Sequence, residues 1–201
     1  MAIKVANNQS LSAITSIPAS ITGGDMILLE TQTASSSATI SFTSNINNTY
    51  KEYIFKFISI HPENNNSQFT FNGSIDSGSN YNVTKTTTSF RTLHSEDDGT
   101  ASVGYRTGAD LAQSTAFKKL HENFGGANDE CASGYLHLYD PSNTTFVKHF
   151  ISVINSNADD DMNQTGFTAG YFNTTSALDA VQFKMASDNL DAGTIKMYGI
   201  K

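Results

Sequence analysis

The stretch Ala180-Val-Gln-Phe-Lys-Met-Ala-Ser-Asp-Asn-Leu-Asp-Ala-Gly-Thr-Ile-Lys-Met-Tyr-Gly-Ile-Lys201 decides the fold class. It reads as two strands of alternating character, Val181 to Ala186 and Thr194 to Ile200, joined by a polar turn. Period-2 alternation is what a half-buried strand shows, because successive side chains leave opposite faces of a sheet.

Similar signals run outward from these two strands. Tyr53-Ile-Phe-Lys-Phe-Ile-Ser-Ile60 is apolar on both faces, with Tyr53, Phe55 and Phe57 on one side and Ile54, Ile58 and Ile60 on the other, so it reads as a central strand. His61-Pro62 stops it, since proline has no N–H for the ladder. Met26 to Thr33 is a short apolar run, Ala34-Ser-Ser-Ser37 a turn, and Ala38, Ile40 and Phe42 share one face of a following strand. Further strands are expected at Gln68 to Asn72, Ser89 to His94, Ser133 to Tyr139, Phe146 to Asn155 and Gly166 to Phe172. A long connection, Ser95 to Cys131, interrupts the series. Within it Ala109 to His121 keeps a partial helical period through Leu111, Phe117 and Leu120, with Gly125-Gly126 as a stop, so a crossover loop with one short helix is expected.

Nine or ten alternating strands predict an all-β fold, an antiparallel β-sandwich of jelly-roll type, with a closed barrel as the alternative. No fixed-period repeat points to a solenoid or propeller. Residues 1–24 carry scattered apolar positions (Ile3, Val5, Leu11, Ile14, Ile17, Ile21) broken by Pro18 and Gly23-Gly24, and read as an N-terminal arm, packed on its own domain or gripping a neighbour. Residues 25–201 form one β-sandwich domain, a reasonable size for an undivided all-β unit among 201 residues.

Charge and composition narrow the partners. The chain has a formal net charge of −7 and a pI near 5.0, with no Lys/Arg cluster longer than Lys118-Lys119, so a surface that tracks phosphates is not expected, nor a nucleic-acid partner. No apolar run approaches bilayer length, and residues 1–20 lack the pattern of a secretory leader, which reads as cytoplasmic production with no membrane partner. Cys131 is the single cysteine and has no intramolecular disulfide partner. Eight Asn-X-Ser/Thr triplets, starting at Asn8, Asn47, Asn65, Asn72, Asn82, Asn143, Asn163 and Asn173, follow from a composition rich in Asn, Ser and Thr rather than from glycosylation.

No catalytic, cofactor or metal residues can be assigned from the pattern. Asn155, Asn157 and Asp159 fall at the first three ligand spacings of a calcium loop, but Asp160 stands where its glycine belongs and Gly166 where its bidentate glutamate belongs; 155–161 reads as a hairpin turn. Glu96-Asp97-Asp98-Gly99 reads as a turn too. His61, His94, His121, His137 and His149 show no zinc-hydrolase spacing; His137 and His149 can meet across a hairpin, yet a metal site needs further donors. No nucleophile signature surrounds Cys131, and no rule brings two of the nineteen acidic residues together for glycoside cleavage. Tyr81, Tyr105, Tyr135, Tyr139, Tyr171 and Phe172 border turns or strand ends, where rings pack in a core or rim or stack on a sugar or a neighbouring subunit; the absence of tryptophan weakens the sugar reading.

Four segments carry a resemblance: Ala180–Lys201, Leu28–Phe42, Tyr50–Pro62 and Ala169–Thr175. They resemble structural proteins of tailed bacteriophages, particularly marine ones, and the likeness covers most of Met26–Lys201; the arm matches least. The matched segments are strands and turns and carry over no site residue. The resemblance implies a non-enzymatic virion protein, a capsid decoration or cement module bridging shell subunits, or alternatively a tail-fibre or receptor-binding domain contacting host glycans near Tyr81 and Gly99–Gly108. It also implies a virion location after assembly in the host cytoplasm, and a homo-oligomer, by analogy a trimer. The absence of a heptad or long fibrous repeat favours the self-contained surface module.

Overall fold

All ten strands read from alternation form, with shifted ends, and two more join them. The computed structural model describes residues 25–158 and 160–201; the segment read as an arm, 1–24, lies outside the described residues, and so does Asp159. The strands are β1 (Met26–Ser37), β2 (Ile40–Phe42), β3 (Glu52–Pro62), β4 (Ser67–Ser74), β5 (Lys85–Ser95), β6 (Ala101–Tyr105), β7 (Lys118–Phe124), β8 (Ala132–Tyr139), β9 (Lys148–Ala158), β10 (Met162–Phe172), β11 (Ala180–Met185) and β12 (Leu190–Ile200). Every pairing is antiparallel.

One path runs β1-β12-β3-β8-β9 and continues from β9 through β10 and β5 to β6. A second path, β7-β4-β11-β2, joins the first at the end of β9, where Phe124 pairs with Ala158. At its far end β2 comes back beside β1, and the Gln32 amide donates to the Ser41 carbonyl at 3.4 Å. The antiparallel sheet is thereby nearly closed into a barrel.

Phe183 on β11 occupies the centre of the interior. Its ring lies 5.2 Å from Phe55, 5.3 Å from Phe57, 5.8 Å from Phe69 and 6.2 Å from both Phe42 and Phe71. Edge-to-face and offset contacts at these separations add to the apolar area removed from water. Leu136, Leu138, Ile195 and Met197 extend the same core onto β8 and β12.

The structure changes several sequence expectations. The helix over Ala109–His121 is absent: a single 3-10 turn, Thr107–Ala109, precedes an extended segment and then β7. β7 pairs with β4 (Thr70 with Lys119, Phe71 with Lys118), and this ladder outweighs a partial helical period. The expected turn at Ala34–Ser37 is strand, because β12 is long enough to pair with β1 up to Ser37 opposite Leu190. Ile60 does not share a face with Ile54 and Ile58. Ser59, at φ 49°, inserts a bulge that turns Ile60 inward, to 1% exposure, while Ile58 stays outside. Gly193, at φ 121°, accommodates it from β12; a Cβ there would come within 2.8 Å of the Ser59 carbonyl.

Candidate functional site

Two rows of residues cross the sheet side by side and exchange polarity midway. The inner row is Ser89, Thr168, Ser152, Leu136, Phe55 and Met197, one from each of β5, β10, β9, β8, β3 and β12. The outer row, one residue along, is Phe90, Phe167, Val153, Tyr135, Lys56 and Lys196. Around β3 and β12 the usual rule holds, with apolar side chains inside and lysines outside. Where the two rows cross the wing formed by β9, β10 and β5 it is reversed, while Phe150, Ile154 and Phe172 on the same strands still join the apolar core. Buried polar groups and exposed apolar ones are the two observations that carry information about a surface.

On the outside of this wing, Phe90 and Phe167 stack at 4.6 Å, and Phe90, Ile151 and Tyr135 are exposed. β6 extends the band with Val103 and Tyr105, which are 71% and 61% exposed. Along β10 the small residues Ala169 and Gly170 floor an open groove of about 480 Å³ walled by Thr86, Thr88, His149, Ile151 and Tyr171. Of the aromatic residues singled out from sequence, Tyr105, Tyr135 and Tyr171 belong to this face. Tyr139 is half-buried and stacks near His137 at 6.0 Å. Phe172 is fully buried in the core, and Tyr81 has its hydroxyl buried away from the band.

The inside of the wing is a hydrogen-bonded seam closed by β7. The Lys118 ammonium donates to Ser89 Oγ and to the Ala109 carbonyl, both at 2.6 Å. Arg106 grips Glu122 through Nε and Nη2 at 3.0 and 2.8 Å. Arg91 donates to Gln164 Oε1 at 2.8 Å, which fixes the amide so that its NH2 faces the Glu122 carbonyl and His121 Nε2. His121 Nε2 lies 2.7 Å from Ser156 Oγ and 3.3 Å from the Gln164 amide nitrogen, while Nδ1 is buried without a partner among the described residues. Gly166 makes room for it: a Cβ at Gly166 would lie 2.6 Å from Nδ1.

Burial sets the protonation of the seam. It pushes Lys118 down to about 8 and His121 down to about 3. It pushes the neighbouring Lys85 down to about 7; that ammonium donates to the Ala116 carbonyl at 2.7 Å. Lys148, also lowered by burial, ties the Phe146 and Thr174 carbonyls together, both at 3.0 Å. Three lysines thus act as internal struts that satisfy loop carbonyls.

The seam has the parts of a nucleophilic site without its access. Ser156 and His121 are in contact, but both are buried, no carboxylate orients Nδ1, and the adjoining cavity of about 20 Å³ has room for little more than a water. Cys131 lines a shallow groove with His61, Asp129, Glu130 and Asp191. His61 turns Nε2 to the Ala127 carbonyl at 3.1 Å and Nδ1 to Asp191 at 3.4 Å, so neither ring nitrogen faces the thiol.

Sequence-level pairs come apart in the structure. His137 lies against Glu52, whereas His149 packs at 5.9 Å from Tyr171. Asn155 donates to Asn163 and Thr165, and Asn157 to the Asp129 carbonyl, so both are engaged beside the 160–161 turn. Among the described residues no three His, Cys, Asp or Glu side chains gather as a metal-holding group. Also among them, no helix is long and apolar enough to cross a membrane. The reversed rows were missed by sequence reasoning, although on β10 Gln164, Gly166 and Thr168 alternate with Phe167, Ala169 and Tyr171 before Phe172 returns to the core.

Comparisons of this chain with protein-family models, with curated proteins and with solved structures find no match.

Proposed function

We propose that this chain is a non-enzymatic virion structural protein, a surface-displayed decoration or cement module whose reversed wing packs against a neighbouring subunit. The observation that carries the reading is the outer row Phe90, Phe167, Val153 and Tyr135 over a polar interior. A sheet that stores its lysines inside and leaves phenylalanine outside has a face suited to burial by a partner. The resemblance of the strand segments supplies the class of partner, the capsid shell or other virion proteins, and a virion location. The jelly-roll sandwich belongs to this proposal as well, with β7-β4-β11-β2 as its smaller layer.

A second reading, a tail-fibre or receptor-binding domain for host glycans, is favoured by the groove on β10. Tyr171 and His149 there stand beside the hydroxyls of Thr86 and Thr88, an aromatic wall next to hydrogen-bonding groups of the kind that holds a sugar ring. Quantitative mass spectrometry of purified virions separates the two. A copy number comparable with the major shell subunit supports decoration; a few per cent of it supports a fibre. Absence of the chain from the particle rejects both.

A further inference from the structure

β6 is an edge that a monomer has little reason to keep. All five of its residues, Ala-Ser-Val-Gly-Tyr, are exposed, none is charged or proline, and β5 is its single partner among the described residues. Natural sheets blunt such edges with charge, proline or a bulge, because unpaired N–H and C=O groups template another strand. The Ser95 N–H donates to the Thr100 carbonyl and the Arg106 N–H to the Ser89 carbonyl, each at 2.9 Å. Residues 100, 102, 104 and 106 therefore face β5. The N–H and C=O of Ala101, Val103 and Tyr105 point outward.

We propose that β6 pairs with β6 of a second copy of this chain, antiparallel about a two-fold axis at Val103. Outward-facing residues meet in this register: Val103 opposite Val103, and Ala101 opposite Tyr105 in both directions, about six hydrogen bonds in all. Each large ring meets a small methyl, and Ser102 meets Gly104.

Charge selects the same arrangement. The strand leaves an acidic turn, Glu96, Asp97 and Asp98, joined to the neighbouring turn by the Glu96 N–H donating to the Asp161 carbonyl at 3.0 Å, with Asp160 beside it. At its other end lie Arg106, Lys119 and Arg91, which outnumber Glu122 and Asp110. Antiparallel self-pairing lays the acidic turn of each copy beside the Arg106–Gly108 end of the other, where Lys119 Nζ stands 3.5 Å from the Gly108 carbonyl. In a chain of net charge −7, such a strand with one acidic and one basic end is complementary to itself. The contact would continue the exposed band of Phe90 and Tyr105 across the axis. It yields a dimer, in place of the trimer that the resemblance implies, and stands whether or not the chain is a virion component.

Sedimentation equilibrium of the full chain, from low micromolar to the highest soluble concentration, tests the contact. The wild type should reach twice the 21.7 kDa monomer mass, with dissociation promoted by salt. Val103→Lys sets two ammonium groups face to face at the axis, and Val103→Pro removes an outward N–H while sparing the bonds to β5. Both variants should stay monomeric over the same range with unchanged circular dichroism. A wild type that is monomeric throughout, or an oligomer that persists in both variants, overturns the proposal.

Discussion

The half of the barrel around β3 and β12 and the wing of β9, β10 and β5 use the same backbone ladder and opposite chemistry. In the first, Phe183 is surrounded by five rings and Lys56 and Lys196 face outward. In the second, Lys85, Ser89, Ser152, Ser156, Gln164 and Thr168 are buried beside Phe150, Ile154 and Phe172, while Phe90 and Ile151 face out. The difference teaches where tolerance lies. An apolar core is stabilised by area and shape, so each methylene counts; a polar interior is stabilised by completeness, so each donor and acceptor counts.

The largest effect expected from this contrast is in the aromatic half. Phe183→Ala leaves a cavity among five rings and should lower unfolding free energy by about 3–5 kcal/mol, read as a shift of the urea midpoint at constant slope. A loss below that of a typical surface change would show that the two halves do not differ as described.

Next comes Gly166→Ala. One methyl is aimed at His121 Nδ1 inside a filled seam, and overpacking of this kind costs about 1–3 kcal/mol. The same change at exposed Gly104, whose added Cβ would meet nothing within 4 Å, should be far milder. Equal midpoints for the two variants would mean that the seam yields easily.

The pH response should distinguish the halves without mutation of the core. His121 has a folded-state value pushed down to about 3, so between that and its ordinary 6.5 the unfolded chain binds the extra proton, and stability falls as pH drops through this window. Lys85 and Lys118, pushed down to about 7 and about 8, act in the same sense between those values and the ordinary 10.5: stability rises with pH there. Urea midpoints should therefore climb from pH 5 to pH 9.5. His121→Gln should flatten the lower part, above the range where carboxylates titrate, and Lys85→Met the upper part. A profile unchanged by either substitution would mean that these groups are hydrated in the folded chain.

The smallest stability change is expected outside. Ile151→Asp on the exposed band should stay within about 0.5 kcal/mol of wild type.

The contrast explains how far sequence reading could reach. The aromatic half was legible because Tyr53, Phe55 and Phe57 alternate with less buried residues and their partners on β12 do the same. In the wing, alternation located the strands, yet period 2 names two faces without saying which is inside; Ser89 and Phe90 could have been assigned either way. β7 was misread because Lys118, Leu120 and His121 are all buried, a set in which charge hides the inward face. β6 has no buried face to mark it. The Ser59 bulge depends on a backbone turn whose one visible sequence signal is Gly193 across the ladder.

On the proposal that the chain is a virion component, the most direct test of the central claim, that the wing is a strut inside and a contact surface outside, is incorporation into virions at a temperature where every variant is folded. Ile151→Asp and His121→Gln would be compared with wild type by quantitative mass spectrometry of purified particles. The account predicts that Ile151→Asp, fully folded, is lost from the particle, and that His121→Gln, though less stable, is retained at wild-type copy number. Retention of Ile151→Asp together with loss of folded His121→Gln would contradict it and place the function in the seam.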